Sequence, residues 1–506
     1  MPGRSDQPNI LFIQTDQLAP QCLGAYGGIA ITPNLDRLAA EGVIYERAYC
    51  NYPLCAPSRF SMASGQLASR IGAFDNACEF PASIPTYAHY VRALGYQTCL
   101  SGKMHFVGPD QLHGFEKRLT PDIYPGDFTW TADWSLDRFP GATDSRAVTK
   151  TGICARSVQL DYDDEVTHKA VQEIYDIARS GDDRPFFLQA SYTHPHEPYL
   201  CQQRHWNLYE GADIPPPSVP MLPDAENDAH SIRILKQHGL HGGEVPEADI
   251  MRARRAYYGM VSYIDDQVGA LLAALEASGQ AENTVILFTS DHGEMLGERG
   301  LWFKKTFFEP ALRVPLILHA PGRMAPRRVA ALCSLVDLVP TFASIASDGA
   351  WDGSVEPLDG ADLTTLRADD GRAVHAELLC EGIKAPIFMI RRGRFKFITG
   401  GEDPDLLFDV DADPDERRNL AGDPVHAETV AAFAAETARL WDPDALSAQI
   451  VLSQQRRLLI RAAHDQGTRP HWDFQAPDTT EDRWFRGEGN YNDWAFDYLP
   501  VKGATP

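Results

Sequence analysis

A chain of 506 residues is too long for a single small binding module and long enough for a large core with at least one smaller unit beside it. With 44% hydrophobic and 23% charged residues it reads as folded and globular, not as disordered or fibrous. The 70 acidic against 46 basic residues leave a formal charge of -24, a field that repels nucleic acid, so an anionic substrate must be drawn in by a local cluster of cations.

The first segment, MPGRSDQPNILFIQTDQ, enters an apolar run without the basic stretch, long apolar core and small-residue cleavage site of a secretory signal. The run itself, NILFIQ (9–14), reads as a strand covered on both faces and ends in TDQ (15–17). Helical spacing follows over 32–41 (TPNLDRLAAE) and 87–94 (YAHYVRAL), and again over 166–179 and 253–278. Between and after these lie further strand-like runs at 185–189 (PFFLQ), 284–289 (TVILFT) and 314–319 (VPLILH). The alternation predicts an α/β fold on a large, doubly wound mixed sheet flanked by helices. Ligand sites of such sheets gather at the carboxyl ends of strands, where TDQ (15–17) and SDH (290–292) bring two acids together. The Pro-rich stretch 211–228 reads as a surface loop.

From about Ala373 the texture changes to short strand-like pieces, 386–399 and 405–420, which predict a smaller antiparallel sheet. A helical stretch (445–465) then precedes an aromatic tail holding Trp472, Phe474, Trp484, Phe485, Tyr491, Trp494, Phe496 and Tyr498. Aromatic residues this dense must dock, on the chain's own body, over its cleft or on a second subunit. The expected division is 1–372 for a catalytic α/β domain, 373–441 for a small C-terminal α+β domain, and 442–506 for a helix and tail that dock or form a dimer or tetramer. Nine scattered cysteines without CxxC spacing argue against a disulfide framework or a zinc ribbon. No run of 18 apolar residues predicts a membrane span, so the expected location is a reducing cytoplasm.

Cys55 stands in NYPLCAPSRFSMASGQ, where Cys, any residue, Pro, Ser and Arg precede a run of small residues. That order matches the modification motif of type I sulfatases, and the chain resembles this formylglycine-dependent family of the alkaline-phosphatase superfamily. The resemblance implies an alkaline-phosphatase-like fold and a Cys55 oxidised to formylglycine by a formylglycine-generating enzyme. The aldehyde hydrates to a geminal diol: one hydroxyl attacks sulfur, and the other then expels sulfate by collapse to the aldehyde, a release unavailable to plain Ser or Cys.

Asp16, Asp291 and His292, with an oxygen at position 55, form a donor set that suits Ca2+, Mn2+ or Mg2+ better than a thiolate-loving metal. The resemblance implies this cradle. Many members have Asp where this chain has Gln17 and Asn where it has His292; the Gln and His pair occurs in choline-sulfatase-like enzymes and phosphonate monoester hydrolases. Gln17 ligates the ion or orients the nucleophile, the second role ranking first.

The anionic sulfuryl group needs fixed cations, and Arg59, Lys103 and Lys304 are the candidates. Arg59 is the motif arginine; Lys103 and His105 in SGKMH match the family's Gly-Lys-x-His element; Lys304, five residues before Glu309, matches the family lysine better than Lys305. In THPHEP the family's Pro-His placement selects His196 over His194. The implied mechanism has Asp291 helping to deprotonate the diol, His196 and Lys304 serving the leaving oxygen, and His105 taking the second diol proton.

The stretch from Asp75 to Trp130, with LDYDDE, THPHEPY and SDHGEMLGERGLWFK, looks most like choline-sulfatases. Trp130 and Glu381 then occupy positions similar to that group's cation-binding residues, while SRAVTKTGIC (145–154) departs from the group and keeps an aryl sulfate open. A phosphonate monoester or phosphodiester hydrolase of the same superfamily is the alternative, disfavoured by the Lys-x-His element. A non-catalytic metal-binding protein is the other, disfavoured because the catalytic set is complete.

Overall fold

In a computed structural model, which describes residues 7–136, 144–243, 245–366, 371–401, 403–478 and 499, the chain is built around one large sheet. The apolar run at the N-terminus becomes β1 (Asn9–Thr15). In chain order follow β2 (Val43–Tyr49), β3 (Gln97–Gly102), β4 (Lys117–Arg118), β5 (Gly152–Cys154), β6 (Phe186–Ser191), β7 (Leu200–Gln202), β8 (Thr284–Ser290), β9 (Leu316–His319) and β10 (Arg327–Ser334). Eight of them form the sheet in the order β10-β2-β9-β8-β1-β6-β3-β4, and β5 and β7 pair separately. The sheet is mixed: β9 runs antiparallel to both β8 and β2, while the other pairings are parallel. A run such as VPLILH, buried on both faces, carries no sign of its direction.

Two helical layers cover the sheet. On one face α1 (Pro33–Glu41), α4 (Val158–Arg179) and α5 (Glu247–Ala277) pack together; on the other α2 (Cys55–Ser64) and α3 (Tyr87–Ala93) pack against α6 (Leu338–Ala346). The second face meets the sheet through aromatic rings, with Phe12 of β1 edge-on to Tyr87 at 5.9 Å and 5.2 Å from Phe342. α4 begins eight residues before the periodic stretch at 166–179, because Ser157 caps it by accepting from the Leu160 N–H while its first turns carry polar residues, including the buried Asp163.

After β10 and α6 come the four strands β11 (Ala373–Leu378), β12 (Ile387–Arg392), β13 (Phe395–Gly400) and β14 (Leu406–Asp409), an antiparallel sheet in chain order. Helix α7 (Ala427–Leu440) covers it, with Phe433 stacked on Phe397 at 5.7 Å. Helix α8 (Pro443–His464) is started by Asp442, which accepts from the Ala445 N–H, and by Pro443 in its first turn. It returns to the first unit through a two-pronged pair, Arg457 to Asp75 at 2.6 and 2.8 Å, both residues buried.

Of the tail aromatics, Trp472 packs edge-on against Phe128 at 5.1 Å and the Arg118 guanidinium lies 5.4 Å from the Phe474 ring centre, so this part of the tail docks on its own chain. Trp484, Phe485, Tyr491, Trp494, Phe496 and Tyr498 lie outside the described residues. Among the described residues no helix is long and apolar enough to cross a membrane.

Candidate active site

Strand register assembles the site. Thr15 of β1 is level with Ser290 of β8, Gln14 with Ser191 of β6, and Ser191 in turn with Gly102 of β3. The residues that follow, Asp16, Asp291 and Lys103, therefore emerge side by side from one edge, all fully buried. Cys55 opens α2 against this edge, and its Sγ, standing where a formylglycine oxygen would be, lies 3.7 Å from Asp16 Oδ1 and 3.4 Å from His292 Nε2.

One turn along α2, Arg59 reaches the same acids: Nε donates to Asp291 Oδ2 at 2.8 Å, Nη2 to Asp16 Oδ2 at 3.2 Å, and Nη1 to the Lys103 carbonyl at 2.6 Å. Lys103 Nζ also contacts Asp16. Burial opposes the charge of Asp16, but Lys103, His196, Arg59 and His292 outweigh it and hold the carboxyl well below its usual range. Asp16, Cys55, Asp291 and His292 each offer a ligand atom within 4.8 Å of the others. His292 Nδ1 donates to the Gly293 carbonyl at 3.0 Å, which leaves the Nε2 lone pair facing that cluster. Carboxylate oxygens with one imidazole fit a hard divalent ion.

The cations and histidines predicted from sequence surround this cluster. Lys304 Nζ contacts Gln17 Oε1 and lies 2.7 Å from His196 Nε2. An ammonium only donates, so His196 accepts at Nε2 and keeps its proton on Nδ1, which bonds the Glu197 carbonyl at 2.8 Å. Gln17 has its amide nitrogen 2.7 Å from Glu197 Oε2 and in contact with Glu294, and its own N–H donates to Asp291 at 3.1 Å. Its side chain thus engages Lys304 and two carboxylates. His105 stands beside Tyr124 and Trp130, and neither ring nitrogen has a hydrogen-bond partner in the structure. Burial first, then the charge of Lys103, pushes its pKa down to about 3, so the imidazole is neutral. Gln17 and His105 both hold left-handed backbone, φ 66° and 60°, a strain that clusters where side chains must converge.

Trp130, half-buried, meets Tyr124 at 4.9 Å and His105 at 5.7 Å. The Glu381 carboxylate is paired with Lys305 at 2.9 Å. Sequence reasoning passed over Tyr124, whose ring also faces Lys103 Nζ at 4.2 Å and His196 at 6.2 Å. It passed over Glu197 and Glu294, where burial and the neighbouring Glu197 push the Glu294 pKa up to about 7. It also left His194 without a role; Asp163 accepts from the Thr193 and His194 N–H groups and the His194 ring at 2.7 to 2.9 Å, which fixes the loop bearing His196. Asp163 and Glu197 stand in LDYDDE and THPHEP, but nothing in the sequence marks them, Glu294 or Tyr124 as residues of the site.

The sulfatase family model matches residues 8–348, a model for the C-terminal part of N-sulphoglucosamine sulphohydrolase matches 297–442, and one for the C terminus of the choline sulfatase enzyme matches 448–497. The choline-sulfatase of Rhizobium meliloti is 42% identical over 500 residues, 96% of each chain. An arylsulfatase of Clostridium perfringens is 29% identical, covering 84% of this chain and 92% of its own. Among solved structures, the phosphonate monoester hydrolase of Silicibacter pomeroyi superposes with a TM-score of 0.68 at 25% identity, over 86% of this chain and 95% of its own. Coordinates and comparisons agree on one conclusion: the chain belongs to the sulfatase family, with an alkaline-phosphatase-like fold, and is a hydrolase of sulfate esters.

Proposed function

We propose that the substrate is the sulfate ester of a small alcohol bearing a quaternary ammonium, of the choline sulfate type. The observation that carries this reading is the 42% identity to the Rhizobium meliloti choline-sulfatase along 96% of both chains. The Tyr124 and Trp130 rings, 4.9 Å apart beside the catalytic cluster, are the aromatic faces such a cation requires.

The proposed ligands of one divalent ion, Ca2+ or Mn2+ with Mg2+ as third candidate, are Asp16, Asp291, His292 and the residue at position 55. When present, the ion supplies fixed positive charge toward the sulfuryl oxygens, and formylglycine at position 55 supplies a diol oxygen as nucleophile. Arg59 orients Asp16 and Asp291 through separate nitrogens and so sets the reacting geometry. Lys103 adds positive charge where negative charge grows on the transferring group. Lys304 presents a proton to the leaving alcohol oxygen, and His196 Nε2, 2.7 Å away, aligns that ammonium. His105, unbonded at both ring nitrogens, accepts the proton of the hydroxyl at position 55 once the anionic substrate beside it raises its basicity. Gln17 supports Lys304 through its side-chain oxygen. The proposal extends to conversion of Cys55 by a formylglycine-generating enzyme, a homo-oligomeric state, and a reducing cytoplasm, the last supported by nine cysteines that form no disulfide.

The test compares choline sulfate with its neutral carbon isostere, 3,3-dimethylbutyl sulfate. A desolvated cation over an aromatic face gains about 2 kcal/mol, roughly thirtyfold, so kcat/KM should favour choline sulfate at least about tenfold, and Trp130→Ala should remove that preference. Equal values in the parent would transfer the assignment to an aryl or alkyl sulfate. The likeness to the phosphonate monoester hydrolase favours one second reading, and faster turnover of a phenyl phosphonate monoester than of any sulfate would establish it. Loss of activity on chelation, with recovery ranked across Ca2+, Mn2+ and Mg2+, identifies the ion.

A further inference from the structure

The segment 122–136 carries both rings of the aromatic wall, yet beyond the short turn Phe128–Trp130 it forms no helix or strand. Its backbone groups must then find partners elsewhere, since buried N–H and C=O groups are rarely left unpaired. Three of them are met by the C-terminal part of the chain. The Gly126 N–H donates to Asp473 Oδ1 at 2.7 Å, the Thr129 carbonyl accepts from Arg461 at 2.9 Å, and the Trp134 N–H donates to Gln454 Oε1 at 3.0 Å. The edge-on contact of Trp472 with Phe128 and the ion pair of Arg469 with Asp127 at 3.6 Å complete the grip.

The same helix is anchored near the nucleophile. Arg457 of α8 holds Asp75, and the next side chain, Asn76, accepts from the Ala56 N–H at 3.0 Å in the first turn of α2, beside Cys55. Thus α8 touches the support of Cys55 at one point and the segment bearing Tyr124 and Trp130 at two others, with Asp473, beyond its end, supplying the third. A rigid helix between the two fixes their separation.

We propose that α8 with residues 469–474 is a positioning clamp for the substrate's alcohol half, in which Arg461, Gln454 and Asp473 hold the wall at the distance from position 55 that the reaction needs. These are positioning residues, acting through Trp130 and Tyr124. The inference rests on the proposed role of that wall in binding the alcohol, and it does not require the alcohol to be cationic.

The experiment uses the full-length enzyme with choline sulfate and 4-nitrophenyl sulfate, and variants Arg461→Ala, Arg461→Lys, Asp473→Ala and Trp130→Ala, singly and as the Arg461/Trp130 double. Arg461→Ala should raise KM about tenfold on the substrate that depends more on Trp130, with kcat within about twofold, because ground-state positioning is what is lost. Arg461→Lys, which keeps an N–H for the Thr129 carbonyl, should recover most of the loss. In the Trp130→Ala background, Arg461→Ala should add less than about twofold, since residues acting as one unit are not additive. Multiplied losses, or an unchanged KM in both Arg461→Ala and Asp473→Ala, would overturn the clamp. Asp473→Ala, at the far end of the grip, carries the same expectation if Arg461→Ala does not fold. Absence of a choline sulfate preference in the parent defeats the cation reading alone, because the cycle on 4-nitrophenyl sulfate still decides the clamp; a Trp130→Ala variant unchanged on both substrates defeats both.

Discussion

Lys305 and Glu381 show how one residue changes the meaning of another. The resemblance to choline-sulfatases implies a cation-binding role for Glu381, but its carboxylate lies 2.9 Å from the Lys305 ammonium, with side chains only 15% and 8% exposed. A trimethylammonium group has no N–H and competes poorly with a primary ammonium for a carboxylate. Lys305→Met should free Glu381 and raise the kcat/KM ratio of choline sulfate to its neutral isostere about tenfold, whereas Lys305→Arg should not. The same change leaves a largely buried carboxylate without its partner, at a cost of about 3–5 kcal/mol, so the melting temperature should drop and recover in the Lys305→Met, Glu381→Gln double variant. An unchanged ratio in Lys305→Met would remove Glu381 from substrate selection. At this scale the sequence was legible where chemistry demands a residue type in a fixed order, as with Cys55, Arg59, Lys103 and His105. Glu197, Glu294 and Asp163 were not, because they act through buried hydrogen bonds that any distant acid can supply, and spacing along the chain does not record which one does.

Among the elements, the join between β3 and β6 carries the tightest constraint. Gly102 ends β3 at φ +110°, and a Cβ there would lie 1.9 Å from the Ser191 carbonyl oxygen. The next residue, Lys103, donates its N–H to that same carbonyl at 2.9 Å and offers its own carbonyl to Arg59. Gly102→Ala must part the strands and carry Lys103 and Arg59 with them. A displacement of about 1 Å at a catalytic group is worth on the order of a hundredfold, so kcat should fall at least that far while the circular dichroism of the fold is retained. Near-parent kcat would mean that the strands accommodate the methyl group. Strands were legible where both faces are apolar, as in β1 and β8. β3, β2 and β10 were not: β3 buries Gln97, Thr98 and Ser101, β2 carries Glu46 and Arg47 near the sheet edge, and β10 starts with two exposed arginines. Polar residues broke the apolar run in each case, although the backbone ladder tolerates them.

For the molecule as a whole, acid sensitivity should begin above the carboxylate range. Burial pushes the pKa of His238 down to about 3, with Lys305 and Lys304 adding to the effect, and burial pushes His113 down to about 4 despite Asp110. In the unfolded chain both titrate near 6.5, so as pH falls below that value the unfolded state binds protons that the folded state refuses, and stability drops. Each such histidine removes up to about 1.4 kcal/mol per pH unit until its folded pKa is reached. The urea midpoint should therefore fall between about pH 6.5 and pH 4, and His238→Gln should flatten the slope. The net charge of -24 shrinks over the same interval and relieves self-repulsion, an effect of opposite sign, so a falling midpoint is specific to buried groups. The same pH slope in the parent and in His238→Gln would show that His238 accepts a proton in the folded state.

Cys55 is 2% exposed, and its neighbour His292 lies 237 positions later in the chain. At about 5–20 residues per second, roughly 10–50 s separate the synthesis of the thiol from the synthesis of the residues that bury it. In that interval the CAPSR stretch is an open peptide that an oxidising enzyme can grasp, and once β8 docks beside β1 the opportunity closes. The proposed conversion of Cys55 would then be a race between modification and folding. Slower translation downstream of residue 55, or a destabilised β8, should raise the converted fraction even though neither change touches the motif.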